Sequence, residues 1–384
     1  MQSYLPLLNA SSSNNSIASL YRGVINLQSR YINTSPFCNA FQPPPESGIA
    51  AQSGNSDTVS PPYDSQIVFE CKYELDSLAA FLEIAAHYYN ATQDTLFFKQ
   101  YQWADAVQTI LNVFNAMMIG TYAENGTVNI SPYKFLRQTT SGTETLSNSG
   151  NGNPVQADTG LSRSTFRPSD DTTIFQLFIP ANMMFTRYLE STSTIMQKIG
   201  KGNLASQMLK LASNVRAAIS AHGIVKDPNY GSIYAYEVDG FGSSNTMDDA
   251  NIPSLLSIPF FGYLDINNTV YQNTRKVLLS KNNPYFMRGP VINAVGGPHH
   301  GPGYAWPMAS IVRILTSNND TEITSSLEEI LSSTNGLGLI HESINTFNQS
   351  DYTRQWFSWA NGLFGQMILD LESRKPHLLQ QSFQ

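Results

Sequence analysis

Charge is what this chain has least of. Only 13% of its 384 residues are Asp, Glu, Lys or Arg. The balance is acidic, with a net charge of -7 and a pI near 5.4. No Lys/Arg cluster interrupts that balance, which argues against a nucleic-acid or anionic-membrane surface. No apolar run approaches the roughly 20 residues that a membrane-crossing helix needs. The N-terminus, "MQSYLPLLNASSSNNS", has no basic segment and too short an apolar stretch for a signal peptide. Cysteine is down to two, Cys38 and Cys71. They are close enough to close one loop, and would pair in an oxidising compartment or stay inert in the cytosol. Period-two alternation is scarce; "GSIYAYEVDGFG" is the best instance and predicts a short hairpin. No serine-nucleophile elbow, phosphate-binding glycine loop, dinucleotide fingerprint or cysteine–histidine pairing is present.

Aromatics are plentiful: 20 Phe and 19 Tyr can fill a large core and still line a cleft. Asn-x-Ser/Thr acceptors stand at Asn9, Asn14, Asn33, Asn90, Asn125, Asn129, Asn267, Asn319 and Asn348. They point to a secretory or extracellular protein, although no signal peptide accompanies them. Helical periodicity recurs at Ile17, Leu20, Val24 and Tyr31; at Leu75, Leu78, Leu82, Ala85 and Tyr89; and at Trp103, Val107, Ile110 and Phe114. It continues at Leu204, Met208, Leu211, Val215 and Ala218, at Ile323, Leu327 and Ile330, and at Trp356, Ala360, Leu363 and Met367. Shorter helices are expected at about 174–197, 252–262, 268–280 and 304–316. Loops over 36–64 and 141–167 read as surface insertions, and Pro284 to Pro302, with "GGPHHGPG", as a functional loop. Helix–loop–helix alternation with almost no sheet predicts an all-α single domain, packed as a bundle or closed ring.

Four clusters concentrate polar and aromatic side chains. In "RPSDD", Arg167 to Asp171, the doublet could cap a following helix or place a carboxyl at a cavity mouth as a general acid. In Tyr234 to Leu256, Glu237, Asp239, Asp248 and Asp249 gather among Tyr234, Tyr236 and Phe241. Asn251 and Pro253 look like a helix start, which would make Asp248 and Asp249 structural. A prenyl-type magnesium site fails because Ile252 stands where a third aspartate is needed. In "GPHHGPGYAWP", His299 and His300 adjoin, so their side chains diverge and chelate poorly. In Gly338 to Gly365, Glu342 follows His341 ahead of Arg354, Trp356, Trp359 and Asn361. Two distant carboxylate sites among Tyr, Trp, Asn and His are the minimum equipment for glycoside hydrolysis, which needs no cofactor.

"FRPSDD…IPANMMF", "IYAYEVDG…MDDANIPSLLS", "GPHHGPGYAWPMA" and "HESIN…YTRQWFSWANGLFG" together resemble glycoside hydrolase family 125, the exo-α-1,6-mannosidases. The resemblance implies an (α/α)6 barrel, release of terminal mannose from α-mannoside glycans with inversion, and no metal or cofactor. It gives the general acid to one of Asp170 and Asp171 without separating them, and the general base to Glu342. Arg167, Tyr236, Glu237, Asp239, His299 and Trp306 would line the sugar pocket. Family members carry a "GDI.AMWLRDS" segment upstream of the point where this chain begins. The ring is therefore expected to be incomplete at its N-terminus. The alternative is a catalytically degenerate mannoside-binding protein, and a third reading is a purely structural helical scaffold.

Overall fold

The computed structural model describes residue 8 and residues 16–54, 56–380 and 382–383. The sequons at Asn9 and Asn14 lie outside the described residues. The described residues form two compact units: residues 16–224 with Glu237–Asn245, and Val225–Tyr236 with residues 246–383 and residue 8.

The first of these units is built on helices α1 (Ser16–Thr34), α2 (Leu75–Thr92), α3 (Thr95–Gln100), α4 (Trp103–Ala116), α5 (Ile179–Lys198) and α6 (Gly202–His222). Helices α5 and α6 are joined by three residues, which makes them antiparallel neighbours. They pack along each other, and α2 packs on α5. Phe114 of α4 stacks on Phe185 of α5 with ring centroids 4.4 Å apart. Buried Glu83 of α2 accepts a 2.7 Å hydrogen bond from the hydroxyl of Tyr188 in α5. The second unit carries α7 (Thr269–Leu278), α8 (Pro307–Leu315), α9 (Asp320–Ser332) and α10 (Ser358–Arg374). Glu322 at the start of α9 accepts from Arg313 of α8 at 2.7 Å and Arg275 of α7 at 2.9 Å. Arg374 at the end of α10 donates to the carbonyls of Ser317 and Ile314, both at 2.8 Å, answering orphan acceptors at the C-terminus of α8. Strands are short and form sheets of two or three.

Local chemistry sets several boundaries. The side chains of Asp94, Asn268 and Asn319 accept the backbone N–H three residues on and cap α3, α7 and α9. Helix α5 starts with Pro180 in its first turn, where a missing N–H matters least.

Elsewhere the structure corrects the sequence reading. The buried face of α1 is Ala18, Tyr21, Ile25, Ser29 and Ile32 with Tyr31, and Leu20 is 49% exposed. The polar Ser29 is buried because it donates to the carbonyl of Ile25, so hydrophobicity alone placed the stripe wrongly. Trp356 lies outside α10 and is exposed. Residues 251–263 form consecutive turns and no helix. Asp248 takes the N–H groups of Leu255 and Leu256, and Ser254 and Ser257 exchange hydrogen bonds, so local side chains outcompete the helical ladder. "GSIYAYEVDGFG" splits between two sheets: Gly231–Tyr234 pairs with Ile224–Asp227, and Glu237–Val238 pairs with Leu177–Phe178 and Ser244–Asn245. The 141–167 stretch is a surface loop only in part, since Leu161 to Arg167 are all buried.

Candidate active site

The "RPSDD" stretch does not start a helix. Phe166 and Thr172 bridge as an antiparallel pair, and the chain reverses between them. The N–H of Arg167 donates to the carbonyl of Asp171 at 2.8 Å, and the N–H of Asp170 to the carbonyl of Arg167 at 2.9 Å. Asp170 takes φ 69°, a left-handed conformation uncommon for a residue with a Cβ. The helix begins at Ile179. Holding adjacent aspartates in a tight turn sends them to different surroundings. Asp171 is buried and accepts the Ser169 hydroxyl at 2.9 Å. The Asp170 side chain is 46% exposed. Its Oδ1 lies 3.4 Å from the Asn39 amide nitrogen and 3.6 Å from the Lys72 ammonium.

Arg167 and Glu237, expected in the sugar wall, are answered by each other. Arg167 Nε donates to Glu237 Oε1 at 2.7 Å, and both residues are sealed from solvent. Glu237 Oε2 also accepts the N–H groups of Ile174 and Phe175 at 3.1 and 3.2 Å. This buried pair ties Arg167 to the Ile174–Phe175 backbone on the far side of the turn. Asp239 accepts the N–H groups of Phe241 and Ser243 at 2.8 and 2.9 Å, both on Oδ1, and so organises the 239–243 turn. Cys38 and Cys71 are joined as a disulfide.

Sequence reasoning passed over the run Glu70, Lys72, Glu74 and Asp76. Four charges within seven residues stand out in so weakly charged a chain, and that density was the available signal. Glu74 and Asp76 open α2 and are buried. Glu74 Oε1 and Asp76 Oδ1 have no hydrogen-bond donor among the described residues. Burial, then the neighbouring charges of Asp76 and Asp170, pushes the Glu74 carboxyl well above its ordinary range. Burial, with the Asp170 charge, raises Asp76 to about 7.

In the other unit, Glu342 lies in the segment between α9 and α10, and just 4% of it is exposed. Its Oε2 accepts from Arg354 Nε at 2.9 Å and from the Thr353 hydroxyl at 3.0 Å. His300 Nε2 is 3.7 Å away. No described residue donates to Oε1. The preceding His341 ring stacks on Tyr352 with centroids 3.9 Å apart, and its Nδ1 meets the carbonyls of Arg354 and Gln355 at 2.9 Å. That clamp sets the backbone from which Arg354 reaches Glu342. Of the two adjacent histidines, His300 faces Glu342, whereas His299, the one expected in the wall, is exposed. Both rings border buried Trp306, at 5.3 and 6.2 Å between centroids. The Trp306 indole N–H has no acceptor among the described residues. Tyr236 is fully buried in the same unit. Asp248 and Asp249 are structural, as buried turn-forming groups. Burial raises Asp248 to about 8.

A family profile described as metal-independent alpha-mannosidase (GH125) matches residues 1–369. The meiotically up-regulated gene 157 protein of Schizosaccharomyces pombe is 46% identical over 381 residues, covering 98% of this chain and 75% of that protein. A solved structure from the metal-independent alpha mannosidases, a Streptococcus pneumoniae non-productive substrate complex with alpha-1,6-mannobiose, superposes with a TM-score of 0.87. It shares 29% identity, and the match covers 97% of this chain and 85% of that one.

Proposed function

This chain belongs to glycoside hydrolase family 125, the metal-independent α-mannosidases, and from that premise we propose that it is an inverting exo-α-1,6-mannosidase on an (α/α)6 barrel. The observation that carries the reading is the likeness, over nearly the whole chain, to a structure holding α-1,6-mannobiose. Asp170, the accessible member of the doublet, gives its proton to the glycosidic oxygen as the bond to the anomeric carbon breaks. Asp171, buried against Ser169, braces the turn from inside. Glu342 takes a proton from the water that attacks the opposite face. Its anchors all sit on Oε2, which holds the carboxylate still and leaves Oε1 to receive that proton. Inversion requires the acid and base to stand roughly 6.5–9.5 Å apart, so that one water fits between base and sugar. His300 beside Glu342, with Trp306 behind its ring, supplies a polar edge and an aromatic wall for a sugar ring.

The deciding experiment is Glu342→Gln assayed on α-1,6-mannobiose. Loss of a general base should lower kcat by about 10²–10⁴-fold, while calorimetry still registers mannoside binding. Unchanged turnover would defeat the assignment. Mannoside binding by the unaltered chain without any free mannose would make it a binding protein. Asp170→Asn should abolish turnover, whereas Asp171→Asn should act mainly through stability; the reverse pattern would exchange their roles. The exposed acceptors Asn90, Asn125 and Asn267 and the disulfide support passage along the secretory route. A glycosidase-sensitive mass shift of the native protein tests that, and its absence would remove the support.

A further inference from the structure

The acid turn is gripped from one side by two residues that each follow a cysteine. Asn39 comes after Cys38 and Lys72 after Cys71, and those cysteines are bonded across 33 residues of chain. Resting on the reading of Asp170 as the acid, we propose that Asn39 and Lys72, tied together by the Cys38–Cys71 disulfide, are positioning residues that hold Asp170 for proton transfer.

The geometry makes one connected unit. Ala40 pairs with Glu70 and Phe41 with Val68 in a short antiparallel ladder beside the disulfide. The N–H of Lys72 donates to Asn39 Oδ1 at 3.0 Å. That bond fixes the orientation of the amide and turns its NH2 toward Asp170 Oδ1. The Lys72 ammonium donates to the carbonyl of Asp170 at 3.0 Å and stands 3.6 Å from its carboxylate. It thus secures both the left-handed backbone of Asp170 and its side chain. Lys72 itself is buried, with Glu70 Oε2 at 3.5 Å and the Phe166 ring 5.4 Å away. Glu70 is in turn held by Arg137 at 2.6 Å.

A left-handed non-glycine residue persists only where its surroundings over-determine it, and here the Lys72 ammonium on the Asp170 carbonyl adds to the backbone bonds within the turn. The ladder beside the disulfide is two residue pairs long, too short to be firm by itself. The covalent bond removes the freedom of the loop that would otherwise carry Asn39 away from Lys72. Charge supports the same role. As the proton leaves, negative charge develops on a carboxyl whose neighbours Asp171, Glu74 and Asp76 are also acids. The Lys72 ammonium and the Asn39 amide are the pre-set groups that answer it.

The test uses the full chain and α-1,6-mannobiose. Lys72→Met should lower kcat by about 100-fold, the scale of a misplaced reacting group, with KM within about threefold. Asn39→Ala should lower kcat by about tenfold, and the double variant should fall short of the product because both residues act on one carboxyl. Dithiothreitol, which supplies the two electrons and two protons that convert the disulfide to thiols, should lower kcat and speed amide exchange over residues 166–172. Exchange in α5 and α6 should stay unchanged. A Lys72→Met enzyme with wild-type kcat, or a reduced protein with unaltered exchange at 166–172, would overturn the proposal. If Lys72→Met does not fold, Asn39→Ala and the reduced wild type decide it by the same readouts. The exchange measurement needs no turnover, so a chain inactive on mannobiose would defeat the mannosidase reading while leaving the positioning claim to be judged separately.

Discussion

Replacing Arg167 by Met tests how the turn that carries Asp170 and Asp171 is anchored. Arg167 and Glu237 are 1% and 0% exposed and meet at 2.7 Å. Removing the guanidinium strands a carboxylate in the interior, and breaking a buried pair in this way costs about 3–5 kcal/mol. The lower end applies, because the N–H groups of Ile174 and Phe175 still solvate Glu237 Oε2. With an unfolding entropy of about 2.1 cal/mol/K per residue, a loss of about 3 kcal/mol over 384 residues lowers Tm by about 4 °C. Calorimetry reads this directly. The companion variant Glu237→Leu leaves the arginine charge buried instead and should be comparably unstable. The double variant, which removes both charges, should recover most of the loss, as apolar replacements of buried pairs do. A single variant within 1 °C of wild type, or a double variant no better than the worse single, would refute the anchoring argument.

Other outcomes follow from the buried acids and the turn. Asp248 has a folded pKa of about 8 against an ordinary 3.8. The folded state therefore keeps a proton that the unfolded chain releases near pH 4. Its contribution is complete below about pH 4 and is lost as pH rises to 8. Asp248→Asn should flatten the fall in urea midpoint between pH 5 and 8; an unchanged slope would show that another group controls it. Asp76, raised to about 7, obeys the same sign. Asp76→Asn should be tolerated at pH 5 and should be more stable than wild type above pH 8, and equal loss at both pH values would contradict its burial as a neutral acid. Asp239→Ala removes the acceptor for two turn N–H groups and should cost about 1–3 kcal/mol of stability. A variant of wild-type stability with impaired mannoside binding would return Asp239 to the sugar wall.

Much of the helical content was legible in sequence, since amphipathic periodicity is a local property. Helices at Leu75–Thr92, Trp103–Ala116, Thr269–Leu278 and Pro307–Leu315 lie where helices were expected, whereas the Asn251 and Pro253 start gave only turns. The family was legible too, because its motifs run in order along most of the chain. What each motif residue does was less so. Arg167 and Glu237 read in sequence as pocket residues, and only the fold shows that they meet across seventy residues and are buried together. His299 and His300 are indistinguishable as letters, and only the path of the backbone turns His300 toward Glu342. The aspartate doublet reads as a helix cap because the helix nearby is real; the intervening turn follows from bonds to Asp171, Tyr73 and Thr143 that no local pattern encodes. Lys72 and Asn39 carried no motif, and their grip on Asp170 exists only because the chain folds back and a disulfide holds it there. The sequence by itself thus determined the elements and the kind of chemistry, both written in local composition. Tertiary structure decided which charges are neutralised internally and which remain for a substrate, because burial and distance are properties of the folded chain.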